Sequence, residues 1–533
     1  MTWAASAGRT HTCANSAALS LRSALESRVT TQLRALIATG FVLAAVSSIA
    51  SARPMTLLGH APPRPPTPTH RVTYADVLRA QAGGWRQVEA PSPFGANGAG
   101  TELLMTDGSV MVQDNTSNWY RLIPNVNGDY IEGRWKQAAT LPNNYGPLYF
   151  GSAVLADGKL VVDGGEYNFF NPAETNQGAI YDPNADAWTS ISPPPWSEVG
   201  DASSVVLADD TFMLGNCCNS AQALLDESTL TWILTGTGKA DVNSEEGWTL
   251  LPNGKVLTVD VANEPNSELY NPRNGSWSSA GMLPSDLTLA FEIGSQVLRP
   301  NGTVFVVGAD GLTAIYQTGR HTWIAGPTLP TVNGQQLHDT DGPATLLTNG
   351  TVLFAASPLL YKKPVTMLLF NGRTLSQVAA PPNAPNDSSY NVRLLMLPTG
   401  QVLETDGSDD VEIYTPRVHP DLSTAPNITS VPSTLTHGST YTIAGTLFNG
   451  VSQANGYGDD DQQATNYPLV RIQNSATGHV FYAKTHDHSF MGVASMATVT
   501  TMFDVPAGIE LGASTIEVIA NGVPSQPVSV TVM

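Results

Sequence analysis

The sequence predicts an all-β protein: a seven-bladed β-propeller of kelch-repeat length, followed by an immunoglobulin-like β-sandwich. Composition is the first observation behind this reading. Gly at 47 and Pro at 38 residues, with only 13% charged residues, fit many short strands joined by turns. The second is a repeated hairpin. Seven times an apolar run is followed by a two-residue turn and a second apolar run. The third is the end of that rhythm after "VEIYTPRVHP" (411–420), beyond which strands alternate at a different density.

The turns are Asp107-Gly108, Asp157-Gly158, Asp209-Asp210, Asn253-Gly254, Asn301-Gly302, Asn349-Gly350 and Thr399-Gly400, spaced 44 to 52 residues apart. Asn-Gly and Asp-Gly are favoured tight hairpin turns because both positions tolerate positive φ. Most repeats continue with an aromatic on a third strand and a tryptophan on a fourth. Tyr181 and Trp188, Tyr270 and Trp277, and Tyr316 and Trp323 keep one spacing, which reads as strand, turn, strand. Four antiparallel strands per repeat make one propeller blade. The propeller is assigned to residues 85–420 and the sandwich to residues 424–533.

The N-terminus reads differently. Arg22, Arg28 and Arg34 precede the apolar run "ALIATGFVLAAVSSIA", which ends in a small-x-small pattern at Ala50-Ser51-Ala52. An export signal over residues 1–52, cut near Ala52, is the expectation, with a single membrane anchor as the alternative. The mature protein is then secreted or periplasmic, without a membrane span. Residues 53–84 form a Pro-rich linker with a short helix at 74–82. A net charge of −20 argues against nucleic acid, whose binding rests on Lys and Arg neutralising phosphates. Past the leader the only cysteines are the adjacent Cys217 and Cys218. They form either a vicinal disulfide or two thiols.

Propeller geometry assigns faces. The hairpin turns lie on one face, and the strand starts eight or nine residues earlier ring the channel on the other, the top. Eight residues before the turns stand Ala99, Tyr149, Asp201, Glu245, Ile293, Asp341 and Asn391, with Glu292 and Tyr390 one residue earlier. Asp201, Glu245, Glu292 and Asp341 are therefore candidate ligands of a divalent cation, since oxygen-rich sites favour Ca²⁺, Mg²⁺ or Mn²⁺. The alternative is that these carboxylates cap backbone N–H groups or are solvated. His338 lies near the same face. Tyr167, Phe169 and Phe170, in a long top-face loop, are candidates for stacking on a ligand such as a sugar ring, or else pack between blades. His486 and His488 are two apart, a spacing that suits a metal on one strand face, although surface histidines need none.

A propeller of this repeat length followed by a sandwich carrying "THDHS" resembles the galactose oxidase and glyoxal oxidase family. The resemblance spans roughly residues 90–530. It implies a C-terminal early-set immunoglobulin-like domain that sends a histidine-bearing hairpin up the channel. Active members hold one copper with two tyrosines and two histidines, one tyrosine being thioether-linked to a cysteine. Carried across, the axial tyrosine is Tyr390, and Asn391 stands where the adjacent histidine belongs. Tyr149 stands at the cysteine position, Asp201 at the radical tyrosine, and His488 at the domain-crossing histidine. Tyr390 and His488 are thus the catalytic candidates, while the copper-radical cofactor is not expected to form. The resulting expectation is an exported, non-oxidase relative binding a carbohydrate or other cell-surface ligand at the top-face channel through a divalent cation such as Ca²⁺. Tyr167, Phe169, Phe170, Asn391 and His338 are the ligand-contact candidates. A divergent copper-dependent alcohol or aldehyde oxidase and a structural or adhesive surface protein are the rivals.

Overall fold

A computed structural model describes residues 84–457 and 461–533. The expected signal, most of the Pro-rich linker and the short helix fall outside the described residues, as do Asp459 and Asp460. Among the described residues, no helix is long and apolar enough to cross a membrane.

Each predicted hairpin forms the first two strands of a four-stranded antiparallel blade; six of the seven blades are separate sheets, and the four strands of blade 6 belong to a seven-stranded sheet. The innermost strands of neighbouring blades adjoin, including those of the first and last blades, Glu102–Leu104 and Arg393–Met396. The ring is therefore closed. Blade 7 owes its outer strand to the other end of the chain: Gly84–Gln87 pairs antiparallel with Glu412–Thr415.

Local chemistry accounts for the blades. In six of the turns a glycine takes the left-handed conformation, and in the third Asp210 adopts it at φ 79°. The Asp210 carboxylate accepts a hydrogen bond from the Ala156 N–H at 3.0 Å, tying the turns of blades 2 and 3 together. The periodic aromatics are cross-strand partners. Tyr181 faces Trp188, Tyr270 faces Trp277 and Tyr316 faces Trp323, with ring centroids 5.1, 5.4 and 5.0 Å apart. Such aromatic pairs stabilise the two outer strands of a blade.

Residues 427–532 supply nine strands joined in one hydrogen-bonded array, with a core that includes Ile443, Phe448, Val470, Phe503 and Ile516. From this part, residues 452–457 and 461–467 lie in the propeller's channel. Asn455–Tyr457 pairs with the inner strand of blade 6. The Gln453 side chain accepts from the Leu250 N–H at 2.7 Å in blade 4, and Gly456 O accepts from Ser295 at 3.0 Å in blade 5. Gln462 O accepts from Ser152 at 2.9 Å in blade 2, and Gln463 donates to Glu102 O at 3.0 Å in blade 1. Asn455 accepts from the Met396 N–H at 3.0 Å in blade 7. The channel is thus filled by polar side chains and backbone groups whose partners lie on six different blades.

Candidate functional site

The strand starts of blades 4, 5 and 6 bring three of the four proposed cation ligands together. Glu245, Glu292 and Asp341 are buried, and one ligand oxygen from each lies within 4.8 Å of the others. The backbone is unusual there. Glu245 and Asp341 hold φ values of 62° and 47°, a region that L-residues rarely adopt. Asp201 is buried at the start of blade 3 but is not one of the converging three. The Tyr361 hydroxyl donates to Glu292, and the Tyr361 ring meets that of Tyr390 edge-on at 5.2 Å. Three hard oxygen donors and a phenol suit a divalent cation of the Ca²⁺ or Mn²⁺ kind.

The next carboxylate along the chain has another task. Glu246 bonds to the buried Lys239 ammonium at 2.8 Å, which also reaches Glu268 at 3.1 Å. Lys239 sits 5.0 Å from the Trp277 ring centre. Burial pushes Glu246 well above the usual carboxylate range, with Lys239 opposing that shift. Asp241 and Asp260 complete this second acidic group. Asp241 caps three consecutive backbone N–H groups, those of Val261, Ala262 and Asn263.

Beside the channel axis Arg393 lies between two rings, 5.6 Å from Tyr149 and 5.7 Å from Tyr457. It forms an ion pair with Asp461, which also accepts from the Thr101 hydroxyl. Burial favours the neutral guanidinium, but Asp461 together with Tyr457, Tyr149 and Glu102 outweighs it and keeps Arg393 charged. No local sequence signal announces this pair, whose members are 68 residues apart.

Other expected site residues go elsewhere. Tyr167 is buried against Tyr149 at 6.2 Å rather than presented for stacking, whereas Phe170 is 49% exposed. Phe169 is half-buried beside Gly146. The ring of His338 is fixed by a 2.7 Å hydrogen bond between Nδ1 and Ala309 O. Asn391 caps its own turn, its side-chain oxygen accepting from the Ser388 N–H and hydroxyl at 3.5 and 3.3 Å.

His488 corrects the assignment made from the resemblance. The described residues inside the channel are 452–457 and 461–467, none of which is histidine. His488 lies at the turn face, where its N–H donates to Ala156 O at 3.1 Å and Met491 N–H donates to Ala208 O at 3.2 Å. Its ring stacks on Tyr467 and meets the Thr501 hydroxyl at 2.7 Å. His486 pairs instead with Asp487 and Asp504, at 2.9 and 3.3 Å. The two histidines thus take separate partners, and Tyr390 and His488 stand at opposite ends of the blade strands. The Cys217 sulfur lies 3.6 Å from a Glu174 oxygen.

No family model matches the chain. A curated kelch-like protein, terF of Aspergillus terreus, is 29% identical over 128 residues, covering 23% of this chain. The alignment spans 26% of that protein, about a quarter of its length. Among solved structures, a fungal alcohol oxidase of the AA5 family in complex with copper covers 85% of this chain and 99% of its own, at 16% identity and a TM-score of 0.48. A catalytically inactive virginiamycin B lyase from Staphylococcus aureus, with quinupristin, covers 62% of this chain and 98% of its own, at 8% identity and a TM-score of 0.46. In architecture the chain is a seven-bladed β-propeller followed by a nine-stranded array, with a short stretch similar to a kelch-like protein.

Proposed function

We propose that this protein is an exported, non-oxidase relative of the galactose oxidase-like propellers, and that it binds a hydroxyl-rich ligand such as a glycan through a divalent cation at the top of the channel. The observation that carries this reading is the convergence of Glu245, Glu292 and Asp341 from three blades to within 4.8 Å. Three buried carboxylates that close repel one another unless cations or protons intervene. A Ca²⁺ ion held by them keeps open coordination positions for sugar hydroxyls.

The donor set does not fit the copper-radical cofactor of the active relatives. The resemblance sets Tyr149 at the position of the thioether cysteine and Asp201 at that of the radical tyrosine. Asn391 spends its oxygen on its own turn, and His488 is on the far face.

Calorimetric titration of the chelator-treated protein with CaCl₂, MgCl₂ and MnCl₂ tests the reading. Wild type is expected to bind one divalent ion at this site. Glu292→Gln and Asp341→Asn should each weaken it at least tenfold, and Asp201→Asn should weaken it less. A wild-type protein that takes up no divalent ion would sink the proposal. So would peroxide production from simple alcohols by the copper-loaded protein.

A further inference from the structure

A groove opens on the turn face, at the other end of the blade strands from the three carboxylates. It encloses about 550 Å³ between the turns of blades 3 and 4, the outer turn of blade 4 and Phe490 of the C-terminal part. A volume of that order suits a small ligand or a short oligomer. Its walls are held in place. The Met491 N–H donates to Ala208 O at 3.2 Å, and the Asn449 side chain donates to Phe490 O at 2.7 Å. The Phe490 ring lies over Gly492, in space that a side chain at 492 would fill, so glycine is what lets it settle there.

The polar lining is mostly donors. Asn253 accepts from the Lys255 N–H at 3.1 Å, and Asn271 accepts from the Arg273 N–H at 3.2 Å. Each asparagine uses its oxygen in its own turn, which leaves its NH₂ group as the free donor. Among the described residues, neither Lys255 nor Arg273 has an ion-pair partner. Asp209 is the one carboxylate in the lining, so two cations face one anion, in a chain whose net charge is −20. Such a wall asks for a ligand that is anionic, rich in oxygen and apolar on one face. We propose that this groove binds an acidic saccharide. The carboxylate of a uronate unit meets Lys255 and Arg273, its hydroxyls accept from Asn253 and Asn271, and the C–H face of a sugar ring lies on Phe490. A phosphate or sulfate ion would leave the Phe490 ring uncovered, and a neutral sugar would leave both cations unpaired. The site does not depend on the cation reading, which concerns the opposite face.

Calorimetric titration of the full chain in EDTA tests this, because no divalent ion can then hold a carboxylate on the top face. The probes are a galacturonate trisaccharide and its methyl ester, which keeps the sugar rings and loses the charge. The free acid is expected to bind about tenfold more tightly than the ester. That preference should shrink in about 0.5 M NaCl. The double variant Lys255→Gln with Arg273→Gln should erase it while leaving the unfolding midpoint in place. Phe490→Leu, which keeps the apolar packing and removes the flat ring, should weaken binding of both probes. Equal affinity for acid and ester, no binding of either, or a preference that survives the double variant would overturn the proposal. A glutamate tripeptide that binds as tightly as the trisaccharide would overturn the assignment to a sugar.

Discussion

Replacing Arg393 by leucine is expected to cost about 3–5 kcal/mol of stability, the usual penalty for removing one partner of a buried ion pair. Arg393 and Asp461 are both almost fully buried, and they join blade 7 to the segment that fills the channel. Without the guanidinium, Asp461 keeps the Thr101 hydroxyl but loses its counter-charge. The rings of Tyr149 and Tyr457 also lose the cation between them. Denaturant unfolding should therefore show a lower midpoint for Arg393→Leu. The double variant Arg393→Leu with Asp461→Leu should regain much of the loss, because apolar replacement of both charges removes the desolvation cost. A single variant as stable as wild type would show that the pair does not anchor the plug.

The second large effect is a loss of stability as pH rises towards 8. Glu404 and Glu412 face each other across two strands of blade 7, and both are buried. Burial, then the neighbouring Asp406, lifts Glu404 well above the ordinary 4.5. Glu412 is pushed up to about 8 by burial and then by Asp410. Asp387 reaches about 8 by burial and its contact with Asp406. These carboxyls hold protons in the fold that the unfolded chain releases near pH 4 to 4.5. Their contribution is complete below that range, and the shares of Glu412 and Asp387 are lost as pH climbs through about 8. His488 works the other way. Burial drops it to about 3, so its share is present above 6.5 and lost as pH falls below it. The clean window is thus pH 6.5 to 8. Across it stability should fall by a few kcal/mol in total, because each carboxyl gives up on the order of 1.4 kcal/mol for every tenfold difference in proton affinity between fold and unfolded chain. Glu404→Gln should flatten the decline. Thermal unfolding at several pH values checks this, and a midpoint that rises across the window would refute it. The strand Gly84–Gln87 that closes the ring ends opposite Glu412, so this blade is where alkaline destabilisation should begin.

Much of the propeller was written in short-range chemistry. A hairpin turn is chosen by two residues, and an aromatic pair by a spacing of seven, so seven repeats could be counted along the chain. The distance of a residue from its turn also fixes which end of the strand it occupies. That is why Glu245, Glu292 and Asp341 could be placed on one face from sequence alone. Which carboxylates converge was a different matter: Asp201 holds the same position in its blade, yet it does not join the other three.

What only the tertiary structure decided has one physical cause: polar groups whose partners lie far along the chain leave no local pattern. Asp461 stands at the end of a run of three aspartates with no basic residue nearby in sequence, but its charge is met by Arg393 inside the channel. His488 had a spacing that suited a metal, but backbone contacts with blades 2 and 3 hold its segment at the turn face. Gly84–Gln87 gave no sign that it completes the last blade, since the strand it pairs with lies more than 300 residues away. Turns and strand periods follow from neighbouring residues, whereas channel contents and site composition follow from closing the ring.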